Sequence, residues 1–373
     1  MAGVPPFLSG AAARWAEKNG IFTLAKPSVR PRKIMFHGDS TMAPYLTAYP
    51  SGNTGAYKNG AVRRMRDALI AAGHYAQDEF FQGTMGYTTA ASFASFDTRM
   101  TLGAGWDFAA ISAVNYGILQ NSTTVNPWVF GPDTQCDTAT VWFRSVTGTG
   151  SVSVAFGGIT KTVDLQRPTP QFVSVTIGPS DGVVLGNNVV SVARVSGTIA
   201  LCAEWARNSR LPAYQLLNAS SSGAKAQHAV NSQDNGRPLY FPEQVLTAGD
   251  ICIWQIGIND WKMGQLSDLA TFKGMFEQWA DRRIAHGIVP RLVLPVRSNA
   301  AGALIEDMDT YYEVMIASAK ARNIAYLSMK DRWGEFNDAD AAGFMVGGSD
   351  YYHPNWYGAQ DMGLLHAAWA LSV

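Results

Sequence analysis

Two short polar motifs near opposite ends of the 373-residue chain combine residue types that can act on a carbonyl carbon. Gly-Asp-Ser at 38–40 follows a short apolar run and offers Ser40 as a nucleophile. Asp-Tyr-Tyr-His at 350–353 places a carboxylate three residues before an imidazole. On a bent loop, Asp350 can accept from one ring nitrogen of His353 while the other nitrogen faces the serine. The two motifs together predict a Ser-His-Asp triad.

Both motifs also have a structural interpretation. An Asp and a Ser after a strand commonly form a turn or cap a helix. Asp350 stands just before the last predicted helix, so it could equally cap that helix and leave His353 on the surface. Neither motif alone establishes catalysis, and the prediction depends on what lies between them.

A third motif supplies a candidate donor to a developing oxyanion. Gly-Ile-Asn-Asp at 257–260 follows the apolar run 251–256. Gly257 permits a tight turn, and the Asn259 amide can donate into a cleft, a role worth roughly 10² to 10³ in rate in a comparable enzyme. The alternative is an ordinary Asn turn residue. Its position after a predicted strand favours the catalytic interpretation.

A fourth motif offers a second donor. Asn-Ala-Ser-Ser-Ser-Gly at 218–223 also follows a predicted strand, and Gly223 could present its backbone N–H to the same oxyanion. A rival exists in Gly86, within the Gly- and Thr-rich stretch 83–89. No clear apolar strand precedes that stretch, so Gly223 is the favoured donor. The backbone N–H of Ser40 completes the expected oxyanion hole.

A parallel α/β domain is predicted to carry these motifs. Helical patterns alternate with strand-length apolar runs, which imply a parallel sheet covered on both faces. In such sheets, ligands bind at the carboxyl edge. The strands are expected at 33–37, 213–218, 250–256, 291–296 and 324–328, and the helices at 60–73, 266–286, 303–322 and 357–371.

The middle of the chain has a different character. Residues 138–205 are rich in Val, Thr, Phe and Ser with partial period-two alternation, which indicates short β-strands. They are expected at 138–144, 151–156, 171–177 and 188–193. We predict an all-β sandwich at 121–209, inserted into a discontinuous domain of 1–120 and 210–373. Gly-Pro-Ser-Asp-Gly at 178–182 matches a nucleophile-elbow pattern but lies between two sandwich strands, so a surface turn is expected.

Composition and charge argue against a nucleic acid or a membrane as the partner. Lys+Arg and Asp+Glu are 29 each, so no net charge directs the chain to nucleic acid or an anionic membrane. The amino terminus lacks a secretory signal pattern, and no stretch is apolar over the roughly 18 residues that a spanning helix needs. We expect a soluble protein, cytoplasmic or part of a virion released by lysis, or a truncated chain. Self-association stays open.

Cysteine spacing and missing motifs bear on cofactors. Cys136, Cys202 and Cys252 show no Cys-x-x-Cys spacing, which favours buried free thiols over a zinc site or a disulfide scaffold. A bridge between the first two is the alternative. The chain contains no His-Glu-x-x-His, phosphate-loop or Gly-x-Gly-x-x-Gly pattern. No metal and no cofactor are expected.

Taken in order, the four motifs resemble the sequence blocks of the SGNH/GDSL hydrolase family. The resemblance implies a flavodoxin-like, three-layer α/β/α core with strand order 2-1-3-4-5. It also implies Ser40 as nucleophile, His353 as base and Asp350 as its orienter, with Gly223, Asn259 and the nucleophile's own N–H as oxyanion donors. The long interval before Gly223 departs from the family pattern. Some carbohydrate esterases and phage tail proteins of the family are similar in carrying a β-sandwich there.

The resemblance implies an esterase, and the insert favours removal of O-acetyl groups from a polysaccharide. Trp254, Trp261, Trp356 and Tyr357 flank the motifs and could contact sugar rings, although core packing is an equal alternative. Two other functions stay open, a lipid or thioester hydrolase on the same triad and a glycan-binding phage tail component without activity. His37, just before the Gly-Asp-Ser motif, is expected to be structural.

Overall fold

The computed structural model describes residues 32–42, 55–82, 94–110, 117–145, 148–169, 171–230, 242–262, 269–296, 305–347 and 350–372. Its strands are β1 (Lys33–Gly38), β2 (Ala76–Gln77), β3 (Phe80–Gln82), β4 (Met100–Leu102), β5 (Trp106–Ala110), β6 (Gly117–Asn121), β7 (Trp128–Phe130), β8 (Thr138–Ser145), β9 (Ser151–Phe156), β10 (Ile159–Asp164), β11 (Gln171–Ile177), β12 (Val190–Arg194), β13 (Ile199–Arg207), β14 (Tyr214–Asn218), β15 (Ile251–Gln255), β16 (Val289–Leu294), β17 (Tyr326–Ser328), β18 (Met345–Gly347) and β19 (Asp350–Pro354).

The helices with described ends are α1 (Ala61–Ala71), α2 (Ala226–Val230), α3 (Pro242–Val245), α4 (Ile258–Lys262), α5 (Leu269–Ala285), α6 (Ile305–Ala321), α7 (Met329–Trp333), α8 (Phe336–Ala341) and α9 (Trp356–Leu371). Short 3-10 helices cover Ala56–Asn59 and Pro179–Asp181. The second of these occupies the elbow-like stretch, which is a turn between sandwich strands, as predicted.

A parallel sheet forms the first part of the structure. Its order is β2-β14-β1-β15-β16-β17, and all neighbouring strands are parallel. Without the two-residue edge strand β2, the strands follow the order 2-1-3-4-5 along the chain. β1 is therefore central, and β14 and β15 flank it. All five predicted strands of this sheet are present.

Both faces of the parallel sheet are covered. Alternate side chains of β1 enter different cores, Ile34 and Phe36 on one face and Met35 on the other. Helices α1 and α9 cover the first face, and α5 and α6 cover the second. Gly363 of α9 lies against α1, where a Cβ atom would come within 2.7 Å of the Ala61 carbonyl oxygen. The close contact of these two helices thus requires glycine at this position.

Two antiparallel sheets form the second part. One has the order β10-β9-β12-β7-β4; the other has β11-β8-β13-β6-β5, with β3 also paired to β13. Strand β9 alternates half-buried and buried residues, as a strand with one face on a core does. The space between the sheets is filled by large apolar side chains, among them Trp128, Phe130, Phe143 and Phe156. This is the predicted all-β region.

These sheets begin earlier in the chain than the expected boundary at 121. Strands β3 to β5 lie before that residue, and β6 ends at it. Because β3 and β4 have only three residues each, they are too short to show period-two alternation in sequence. The antiparallel pairing therefore extends from Phe80 to Arg207, while the division into domains stays a prediction.

The sandwich packs directly on the parallel sheet. Trp142, Cys202 and Trp205, from the outer face of the β8 and β13 sheet, share one core with Met35 and Leu217. All three cysteines of the chain are buried free thiols, as predicted, and burial raises the pKa of Cys252 to about 12. No helix in the described parts of the chain is long and apolar enough to cross a membrane.

Candidate active site

Ser40 lies in a tight turn just beyond β1, at the carboxyl edge of the parallel sheet. The Asp39 N–H donates to the Gln255 carbonyl oxygen over 3.1 Å, which continues the pairing of β1 with β15. One carboxylate oxygen of Asp39 accepts from the Thr41 N–H at 2.9 Å and from the Thr41 hydroxyl at 2.7 Å. The Gln255 amide donates to the same hydroxyl over 3.0 Å. The turn that presents Ser40 is therefore fixed by its own residues and by the next strand.

Ser40, His353 and Asp350 form one continuous chain of hydrogen bonds. The His353 Nε2 atom is 2.8 Å from the Ser40 Oγ atom, and its Nδ1 atom is 2.8 Å from the Asp350 Oδ2 atom. The other Asp350 oxygen accepts from the backbone N–H groups of Tyr352, at 3.1 Å, and of His353, at 2.9 Å. This is the geometry in which an oriented imidazole can remove a proton from a serine hydroxyl.

The charge of Asp350 is stabilised by its neighbours. Burial alone would raise its pKa, but the hydrogen bond from the His353 ring, the imidazolium charge and two backbone N–H groups hold the Asp350 pKa below its ordinary value. Asp350 is thus ionised at neutral pH. Asp350 can stabilise the imidazolium that forms when His353 takes a proton.

The loop that carries His353 is held on both sides. It belongs to β19, which pairs with β18. Asn355 caps α9, because its Oδ1 atom accepts from the N–H groups of Tyr357 and Gly358. The amide of Asn355 also donates to the Gly343 carbonyl oxygen at 2.9 Å and to the Met345 carbonyl oxygen at 2.7 Å. The imidazole therefore extends from a fixed backbone.

The two intermediate motifs meet beside the Ser40 turn. The Ser221 N–H donates to the Gly38 carbonyl oxygen over 2.9 Å, so the chain after β14 runs along the end of β1. The Asn259 amide donates to the Ala224 carbonyl oxygen over 3.0 Å. An Asn amide has two N–H donors, so one is left for another acceptor. Gly223 lies between these contacts, with a φ of 76°.

The rival oxyanion donor, Gly86, lies outside the described residues, together with the rest of 83–89. The preference for Gly223 over Gly86 therefore stays a prediction. What the structure adds is the backbone pairing of the Gly223 segment with the end of β1.

Neither a protein-family model nor a curated protein matches this chain. Among solved structures, it is similar to a peptidoglycan O-acetylesterase, with a TM-score of 0.58 and 11% identity over 96% of this chain and 95% of that one. This similarity spans nearly the whole of both molecules. The chain has the SGNH/GDSL esterase fold.

Two further solved structures are similar with lower TM-scores. One is a family two carbohydrate esterase from Cellvibrio japonicus, with a TM-score of 0.31 and 12% identity over 78% of this chain and 98% of that one. The other is a G-D-S-L family protein from Desulfitobacterium hafniense, with a TM-score of 0.34 and 18% identity over 41% and 79%. At such identities the comparisons bear on fold, so activity must be argued from the site.

Two of the four aromatic candidates are core residues of the SGNH fold. Trp254 has no exposed surface, packs edge-on against Phe276 and Trp279, and donates its indole N–H to the Ile256 carbonyl oxygen over 2.9 Å. Trp261 is 3% exposed and lines a small apolar pocket beside α6. For both rings the structure therefore agrees with the alternative of core packing, and a contact with substrate stays a prediction.

The other two aromatic candidates lie at the surface, directly after the His353 loop. Tyr357 is 55% exposed, and Trp356 is half-buried. Their ring centroids are 4.3 Å apart, and the Arg64 guanidinium lies 5.5 Å from the centre of the Trp356 ring. Arg64 was not identified from sequence, because its proximity depends on the packing of α1 against α9. The two rings form a partly exposed aromatic surface at the start of α9, three and four residues after His353.

His37 is structural, as predicted. It is fully buried on the opposite side of β1 from Phe36, and its Nδ1 atom accepts the Trp279 indole N–H over 3.1 Å. Burial, with a contribution from the nearby Arg283, lowers the pKa of His37 well below its ordinary value. The ring is therefore neutral and takes no part in the site.

Sequence reasoning missed the residues that support the site. Thr41 and Gln255 fix the nucleophile turn, and Asp260 accepts from the Ala226 N–H. Asp260 was visible as the last residue of the Gly-Ile-Asn-Asp motif, but nothing in sequence shows which donor it binds. Gln255 ends a buried strand, where its polar side chain was the available signal.

Proposed function

We propose that this protein is a serine esterase that hydrolyses O-acetyl groups of a polysaccharide through an acyl-enzyme on Ser40. The observation that carries the proposal is the continuous contact from the Ser40 hydroxyl through His353 to Asp350, with both distances 2.8 Å. A turn at the end of a strand could be formed without this row of hydrogen bonds, so we assign the row to catalysis. It fits acyl transfer, which needs a nucleophile, a base and an orienter.

In the proposed reaction, the Ser40 Oγ atom attacks the ester carbonyl carbon while His353 takes the hydroxyl proton at Nε2. The tetrahedral oxyanion is held by the backbone N–H groups of Ser40 and Gly223 and by the free N–H of the Asn259 amide. His353 then gives its proton to the leaving sugar hydroxyl, and the C–O bond of the ester breaks. Water, activated by the same imidazole, attacks the acyl-enzyme and releases acetate.

Two observations support a glycan substrate. The exposed Tyr357 and the adjacent Trp356 lie directly after the His353 loop and present ring faces of the kind that pack on sugars. A solved structure with a TM-score of 0.58 to this chain is that of a peptidoglycan O-acetylesterase. We therefore favour an acetylated polysaccharide over a lipid or a thioester.

The proposal includes a division of the chain. A flavodoxin-like, three-layer core from residues 1–120 and 210–373 carries the triad, and the β-sandwich is its insert. The strand order of the parallel sheet and the cores on both of its faces support this assignment.

The deciding experiment measures acetate release by mass spectrometry from a panel of acetylated polysaccharides, including O-acetylated peptidoglycan. Ser40→Ala should lower the release rate by on the order of 10⁴-fold or more while glycan binding is retained. Ser153→Ala, on the outer face of β9, is the matched control and should release acetate at the wild-type rate. An unchanged rate in Ser40→Ala would contradict the triad, and faster turnover of long-chain acyl esters than of acetyl esters would contradict the substrate class.

A further inference from the structure

The Gly-Ile-Asn-Asp motif at 257–260 binds the chain just after the 218–223 motif through two consecutive residues. The Asn259 amide donates to the Ala224 carbonyl oxygen over 3.0 Å. Both carboxylate oxygens of Asp260 lie close to the Ala226 N–H, at 3.2 and 3.0 Å. Both contacts are made to residues that directly follow Gly223. The segment that carries Gly223 is thus held from the α4 side by a pair of side chains.

Gly223 is also held from the other side. The Ser221 N–H donates to the Gly38 carbonyl oxygen over 2.9 Å, and the Ala224 N–H donates to the Ser221 carbonyl oxygen over 3.0 Å. This second bond closes a four-residue turn with Gly223 in its third position, at a φ of 76°. A turn with positive φ only at this position is of type II and strongly favours glycine there. The direction of the Gly223 N–H therefore depends on how the turn is anchored.

We propose that Asp260 is a positioning residue of the oxyanion hole, which holds the Gly223 turn against the Ser40 turn by accepting the Ala226 N–H. Asn259 and Asp260 then fix two oxyanion donors as one unit, because the residue that supplies one donor is adjacent to the residue that anchors the other. This inference rests on the proposed function. It adds a role for a residue that touches no substrate.

The surroundings of Asp260 fit this role. The residue is 3% exposed. Burial raises the pKa of Asp260 to about 7 and the nearby Asp39 carboxylate adds to the increase, while the N–H of Ala226 and the Lys225 charge oppose it. A full negative charge here would oppose a developing oxyanion. The position therefore needs a hydrogen-bond acceptor rather than a permanent charge, and Asp260→Asn keeps an acceptor oxygen.

Kinetics of Asp260 variants on a soluble acetyl ester provide the test. Asp260→Ala should lower kcat by roughly 10- to 100-fold and leave KM within about threefold, because a small displacement of a donor acts on the transition state. Asp260→Asn should retain kcat within about threefold. A boronic acid that forms a tetrahedral adduct with Ser40 should lose affinity for Asp260→Ala by the same factor as kcat.

Asp250→Ala is the matched control. Asp250 is also buried and accepts backbone N–H groups, from Lys33 at 3.0 Å and Thr247 at 2.8 Å, but it lies next to the amino end of β15. This variant should lose stability while kcat of the folded protein stays within about threefold. If Asp260→Ala and Asp250→Ala lost kcat equally, Asp260 would act only through overall stability, and the inference would be overturned.

Amide hydrogen exchange separates this inference from the proposed function. In Asp260→Ala, the Gly223 and Ala226 amides should exchange faster than in the wild type, while amides of β16 should not change. Wild-type exchange at Gly223 would overturn the positioning role, whatever the activity. A wild-type protein that hydrolyses no ester would sink the esterase proposal alone, and the exchange result would still decide whether Asp260 anchors the turn.

Discussion

The carboxyl edge of the parallel sheet brings several polar side chains together, whereas the core between the two antiparallel sheets is built mainly of apolar residues. At the edge, buried polar side chains are paired with one another, as in the chain from Ser40 to Asp350. Between the sandwich sheets, the core consists of apolar and aromatic residues such as Trp128 and Phe143. Strand ends leave backbone donors and polar turns that can be assembled into a site, whereas strand centres must be filled with apolar side chains.

The same contrast applies to aromatic residues. Among the aromatic residues of Phe80–Arg207 whose side chains the structure describes, all are buried apart from the partly buried Phe172. At the edge, Tyr357 is 55% exposed. The buried rings of the antiparallel sheets are therefore used for packing, either between the two sheets or, as with Trp142 and Trp205, against the parallel sheet. We therefore expect a glycan to contact α9 rather than the antiparallel sheets.

The largest effect that tests this difference between the two regions is expected at Asp350. Asp350→Asn keeps an oxygen for the backbone N–H groups of Tyr352 and His353, but it turns an amide donor toward the His353 ring and favours the wrong tautomer. We expect kcat to fall by about 10² to 10⁴-fold with the fold intact. Acetate release, together with circular dichroism of the same sample, measures both quantities.

Asp164→Asn is the sandwich counterpart. Asp164 is exposed on β10, where its carboxylate accepts the Gln166 N–H over 3.0 Å. Its kcat should equal that of the wild type. If the two variants lose activity equally, the sheet edge has no special part in catalysis and the triad assignment fails.

The site was more predictable than the sandwich because its signals are local. Each motif follows a strand or precedes a helix, so the topology of a parallel sheet was enough to predict that Ser40 and His353 would lie at one edge. The short strands β3 and β4 carry no such signal, and they join the sandwich only through pairing with β13 and β7. Register between distant strands depends on tertiary packing, which a single sequence does not show.

Side-chain roles were predictable only where the residue type left few alternatives. A His three residues after an Asp before a helix suggested a triad, and the geometry agrees. A Trp after a strand suggests either a sugar contact or the core, and Trp254 is in the core because β15 is central in the sheet. That position follows from strand order rather than from composition.

A buried carboxyl of the sandwich gives a second, smaller prediction. Glu204 of β13 is fully buried, and neither of its oxygens has a hydrogen-bond partner among the described residues. Burial raises the pKa of Glu204 well above its ordinary value; Arg99 opposes the increase, and Glu79 adds to it. The folded protein therefore holds a proton that the unfolded chain releases near about pH 4. The contribution of this carboxyl to stability should therefore be greatest in acid and fall as the pH rises.

Glu204→Gln removes this titration. The free energy of unfolding should fall less between pH 5 and pH 8 in the variant than in the wild type. Urea unfolding at the two pH values measures it. Glu313→Gln, at an exposed position on α6, should leave the wild-type dependence unchanged. The same pH dependence in the Glu204 variant would show that this carboxyl is ionised in the folded protein.

The smallest expected effect concerns the exposed ring of Tyr357 on α9. Tyr357→Ala removes this ring, so KM for an acetylated polysaccharide should rise by about two- to tenfold, as loss of one aromatic contact predicts. KM for a small acetyl ester should not change, because such a substrate occupies only the Ser40 side. Thr162→Ala, at an exposed position on β10, is the sandwich control and should leave both values unchanged. The opposite result would be a higher KM for the polymer in the Thr162 variant and an unchanged KM in the Tyr357 variant. The polysaccharide would then bind along the sandwich, and the burial of the sandwich rings would not show where the glycan lies.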